Sequence, residues 1–76
     1  MVYHVGVDVH DYEKHTHGRK EVYLTDFEDY DECIEVGEYQ LVGSNWVEAA
    51  EYAIKLVQSQ HPLASVELAY VKEFHV

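Results

Sequence analysis

A second cysteine, a second proline and any long apolar run are missing from this sequence of 76 residues, and each absence excludes something. With Cys33 alone, no intrachain disulfide can staple the fold and a multi-cysteine zinc site is ruled out, which fits a reducing compartment. Nowhere does the chain approach the roughly 18 apolar residues that a membrane helix needs. The opening "MVYHVGVDVH" has no basic leader followed by an apolar core, so an unprocessed, cytoplasmic protein is expected. Basic residues are scarce as well, five against fifteen acidic ones, for a net charge of -10. Proteins that bind nucleic acid neutralise phosphates with Lys and Arg, so direct DNA or RNA binding is not expected, nor is an anionic membrane surface. A field of this sign favours encounter with a basic protein instead.

Catalytic signatures are also absent. The glycines at 6, 18, 37 and 43 form no phosphate-binding loop, and no serine has a nucleophile-elbow context. Carboxylates are abundant, yet acid-base chemistry needs them in a sheltered cleft, and a chain this short encloses little volume. No enzyme activity, catalytic residue, cofactor or metal is therefore expected.

What is present is enough apolar material to fold. At 47% hydrophobic residues the chain is too apolar for a disordered acidic tail, and its length allows one small domain, which buries only about 60% of its unfolded surface. In "VYHVGVDVH", Tyr3, Val5, Val7 and Val9 alternate with His4, Gly6, Asp8 and His10, the period of a half-buried strand. Residues 10 to 20 are polar and read as a loop or hairpin tip. "EVYLTDF" supplies a second strand with Val22 and Leu24 in phase. "CIEVGEYQLV" supplies a third, with Ile34 and Val36 in phase and Gly37 marking a bulge or bend.

"GSNWVEAAEYAIKLVQSQHP" reads as a helix capped by Ser44 or Asn45, with Glu48 in a capping-box position and Pro62 ending it. Trp46, Ala49, Ala50, Ala53 and Val57, widened by Ile54 and Leu56, form the stripe expected against the sheet. "SVELAYVKEFHV" closes the chain as a strand with Val66, Leu68, Tyr70, Phe74 and Val76 on one side and Lys72 as the exception in that row. The order β-β-β-α-β predicts an α+β fold of two layers. One helix would cover one face of a mostly antiparallel sheet of three to four strands.

The charge is divided along the chain. No basic residue occurs between Lys20 and Lys55, where ten acidic ones do; the rest of the chain holds five acidic and five basic residues and sums to zero. Segment 21–54 thus carries the whole net charge. Its densest part is "TDFEDYDECIEVGE", with seven carboxylates and two aromatic rings in fourteen residues. Acids two apart on an extended chain lie about 6.6 Å apart on one face, and duplex DNA likewise presents regularly stepped charge, at about 3.4 Å of axis per phosphate on each strand. The predicted partner-binding residues are Asp26, Phe27, Glu28, Asp29, Tyr30, Asp31, Glu32, Glu35 and Glu38, among which Asp29, Asp31, Glu32 and Glu35 act as phosphate surrogates and Tyr30 and Phe27 as aromatic anchors. The segment has no glycine where an EF-hand loop requires one, so specific calcium binding is not expected.

Six histidines include the pair His15 and His17, whose spacing could chelate zinc or nickel with His10 or Asp11; a solvent-facing loop is the preferred reading. Cys33, flanked by Glu32 and Glu35, is read as a small core residue, since neighbouring carboxylates disfavour a reactive thiolate. In size, acidity and lack of motif the chain resembles the small inhibitors that phages deploy against restriction and CRISPR nucleases. That resemblance implies a basic, nucleic-acid-binding protein or nuclease as partner, met in the host cytoplasm. The alternative is a structural or assembly module, a homodimer through an uncovered sheet face, with the acid serving solubility.

Overall fold

The computed structural model of the chain describes residues 1–26, 39–41 and 45–74. Strands β1 (Val2–Asp11) and β2 (Thr16–Thr25) are followed by the short β3 (Gln40–Leu41), helix α1 (Trp46–Gln60) and β4 (Ser65–Phe74). They form one sheet in the order β3-β2-β1-β4, antiparallel except where β3 runs parallel to β2, with α1 packed on one face. This is the α+β architecture expected from the sequence. Among the described residues, no helix is long and apolar enough to cross a membrane.

The alternation of β1 decides which face the helix covers. Tyr3, Val5, Val7 and Val9 are buried and form the core with Val22 and Leu24 of β2 and Ala49, Ala53 and Val57 of α1. Small alanines bring the helix close to the sheet. Asn45 caps α1, its side-chain oxygen accepting the Glu48 amide at 3.0 Å, and His61 closes the other end by donating its amide to Val57 and Gln58 carbonyls. Gln58 then ties down the exit, its amide nitrogen donating to the carbonyls of His61 and Ala64. Trp46, expected on the buried stripe, is half exposed because it begins the helix beyond the core, beside Leu68 and Val71 at the β4 edge.

The polar stretch 10–20 contains the expected hairpin tip, but most of it is strand. β1 continues to Asp11, the turn is limited to residues 12–15, and β2 begins at Thr16, pairing residue for residue back to Val2. Asp11 organises the turn by accepting the amides of Glu13 and Lys14, and His15 takes a left-handed conformation with φ 54°. No apolar alternation marks this part of β2 because its residues from Thr16 to Glu21 are all exposed. Of the expected third strand only Gln40 and Leu41 fall among described strand residues; Ile34, Val36 and Gly37 lie outside the described residues.

The last strand differs from the expected phase. Gly6 faces Tyr70 while Val7 faces Leu68, so Ala69 is an extra residue, a β-bulge. The bulge splits the apparent apolar row. Val66 and Leu68 lie on the helix side with Val71, whereas Tyr70, Lys72 and Phe74 face away from it. Lys72 is therefore no exception; it belongs to the outer row.

Gly6 is required by this arrangement, because a Cβ there would overlap the Tyr70 ring. Gly6→Ala is expected to destabilise the protein by about 1–3 kcal/mol, the range for overpacking. In a Tyr70→Ser background the same change should be neutral or slightly stabilising, since the strand then loses only the extra freedom of glycine. Urea unfolding of the four proteins measures both.

Candidate interaction site

Of the nine residues expected to bind a partner, Asp26 is described; Phe27, Glu28, Asp29, Tyr30, Asp31, Glu32, Glu35 and Glu38 lie outside the described residues, as does Cys33. The structure shows the two points from which that segment departs and to which it returns. Departure is at Asp26, which is buried, with its carboxylate 3.1 Å from the Met1 ammonium and its amide donating to the Met1 carbonyl. Its charge is thus committed within the fold. Return is at Tyr39, followed by β3, where Gln40 pairs with Leu24 and Leu41 with Thr25. The Tyr52 hydroxyl of α1 donates to the Gln40 side-chain oxygen at 2.6 Å, and the Tyr39 hydroxyl lies 3.4 Å from His4 Nε2. Both anchor points therefore sit at one end of β2, held by β1 and α1.

A second surface lies on the sheet face away from the helix. At one end His4 packs edge-on against Tyr23 at 4.7 Å, against Phe74 at 4.6 Å and, more loosely, against Tyr39 at 6.1 Å. At the other end His10 stacks on Tyr12 at 4.1 Å and faces its cross-strand partner His17 at 5.6 Å. Between them the Tyr70 ring lies over Gly6, flanked by the Arg19 guanidinium at 5.4 Å and the Lys72 ammonium at 5.0 Å. Tyr70 donates its hydroxyl to Glu21 at 2.8 Å, and Arg19 donates to Asp8 at 2.9 Å.

This surface is only partly visible in sequence. The alternation of β1 identifies His4 and His10, but Arg19 and His17 belong to a strand without an apolar signal, and Tyr70 and Phe74 are reassigned to this face by the Ala69 bulge. Of the candidate ligands, His10 and His17 meet across β1 and β2, while His15 and Asp11 stand apart from them. His15 occupies the turn, His17 sits on β2, and Asp11 spends its carboxylate on turn amides. Among the described residues, no three His, Cys, Asp or Glu side chains are grouped to hold a metal ion. Among the described residues, one open surface hollow of about 500 Å³ lies between Trp46, Leu68, Val71 and Glu73.

Comparison with protein-family models, curated proteins and solved structures found no match to this chain.

Three groups of the site have displaced acidities. The hydrogen bond from Arg19, aided by its charge, holds the Asp8 carboxyl below the usual carboxylate range and raises the Arg19 guanidinium in turn. The Tyr70 phenol is raised chiefly by its hydrogen bond to Glu21. Because the folded value of Asp8 is depressed, its contribution to stability is present above the unfolded value of about 3.9 and is lost as pH falls through the folded value. Arg19→Gln should return the Asp8 titration, followed by NMR of its side-chain carboxyl, toward the ordinary value. An exposed pair contributes little, so thermal stability at neutral pH should barely change. An ordinary titration of Asp8 in the unaltered protein would contradict the assignment.

Proposed function

We propose that the chain is a small acidic binding protein whose segment 26–38 occupies a basic, nucleic-acid-binding surface of a partner protein. It would act as an inhibitor or nucleic-acid mimic of the kind phages use against restriction or CRISPR nucleases. One observation carries the reading: the net charge of -10 is confined to a stretch without a single basic residue, and the densest part of that stretch leaves and rejoins one sheet at fixed points. Pinning both ends lowers the entropy lost when the carboxylates meet a rigid partner. Asp26 serves as an anchor, while Asp29, Asp31, Glu32 and Glu35 stand in for phosphates, and Phe27 and Tyr30 offer rings to arginine side chains.

The test is capture of a partner from cells that naturally contain the protein, with elution by competitor duplex DNA or RNA. The unaltered protein should retain a basic protein that the nucleic acid releases. Asp29→Lys, Asp31→Lys and Glu32→Lys together should lower that affinity at least tenfold, since like charges placed across an interface cost several kcal/mol. Retention by the triple variant, or a partner that nucleic acid does not release, would overturn the reading.

A further inference from the structure

The sheet face opposite α1 presents aromatic rings to solvent: Tyr12 is 62% exposed, Phe74 44% and Tyr23 41%. Single exposed rings are ordinary, but these share a face with His4, Tyr70 and Arg19, a composition typical of interface cores. We propose that this face is the docking surface for a second copy of the chain, forming a reversible face-to-face dimer. The proposal is independent of the role of the acidic segment.

Charge selects the occupant. On this face, strands β1, β2 and β4 carry Arg19 and Lys72 against Asp8, Glu21 and Glu67, so it is nearly balanced on a molecule of net charge -10. Two such molecules repel through their acidic parts and meet most cheaply where the charge cancels. The same balance disfavours a single-stranded nucleic acid: the rings could stack on bases, but no excess of cations accompanies them to hold the phosphates.

The polar groups suit burial under a second sheet. Arg19 is paired with Asp8 and Tyr70 with Glu21, so covering them strands neither a guanidinium nor a phenol, while Lys72 and Glu67 lie on the edge strand β4, where the rim of the interface stays hydrated. The area is also adequate. Strands β1, β2 and β4 are ten residues each, and strands of that length span about 33 Å and lie about 4.8 Å apart. Leaving out the end where the outward-facing Val2 and Thr25 are already buried, the three strands present a footprint of roughly 380 Å² per copy, and side-chain relief brings the pair toward the roughly 1,000 Å² of a specific interface. An interface at that lower limit gives a dimer that dissociates on dilution. Stacking at the usual sheet separation of about 10 Å places the two helices on the outside, in a four-layer helix-sheet-sheet-helix arrangement.

Sedimentation equilibrium of the whole chain, from about 1 μM to about 1 mM, tests this. The apparent mass should rise from 8.9 kDa toward twice that value with concentration. Tyr23→Glu with Phe74→Glu should weaken self-association at least tenfold, with circular dichroism confirming the fold. Leu63→Glu, at an exposed position outside strands β1, β2 and β4, should leave self-association unchanged. Should the double variant fail to fold, Tyr12→Glu in the turn carries the same expectation. A monomer at every concentration, or a dimer indifferent to the face variants, would overturn the proposal. So would micromolar binding of a labelled oligo-dT strand that the face variants abolish, which would make the face a base-stacking platform.

Discussion

Everything in this small sheet is referred to β1. It is the central strand, paired along its length with both β2 and β4, and its strict alternation gives each neighbour an inside and an outside. Tyr3, Val5 and Val7 are almost wholly removed from water. A slip of one residue would put them in solvent and bury His4 and Asp8, at a cost no domain of this size could bear. The helix, the bulge in β4 and the anchors of the acidic segment are arranged around that choice.

The outward row has its own logic. Gly6 makes room for the Tyr70 ring, the ring sits between Arg19 and Lys72, and its hydroxyl reaches Glu21 on the far strand. One tyrosine thereby connects β4 across β1 to β2. A cation-ring-carboxylate network of this kind fixes register on a face that hydrophobic burial leaves unspecified. On the same face Arg19 holds Asp8, so two of its carboxylates, Asp8 and Glu21, are engaged within the sheet.

The inward row was legible in the sequence because burial imposes periodicity. Tyr3, Val5, Val7 and Val9, the pair Val22 and Leu24, and the stripe of Ala49, Ala53 and Val57 all follow their expected periods, and Asn45 caps the helix from a position its side chain announces. Where backbone pairing alone decides, the signal vanishes. The exposed run from Thr16 to Glu21 has nothing to bury, so its strand character was hidden, and the turn depends on Asp11 accepting two amides. The Ala69 bulge was hidden for the opposite reason: Val66, Leu68, Tyr70 and Phe74 look like one apolar row although an extra residue divides them between two faces. The acidic segment was conspicuous as composition. The anchors that hold its ends, Met1 with Asp26 and Tyr52 with Gln40, join residues far apart in sequence and carry no local motif.

The proposed function rests on electrostatics more than on shape, and ionic strength is the variable that isolates electrostatics. The decisive measurement is the affinity for the captured basic partner as a function of salt. If the carboxylates between Asp26 and Glu38 replace phosphates, the dissociation constant should rise at least tenfold between about 50 mM and about 200 mM salt, in the manner of nucleic-acid complexes. An affinity constant within about twofold over that range would mean that apolar contacts hold the complex, and it would contradict the account.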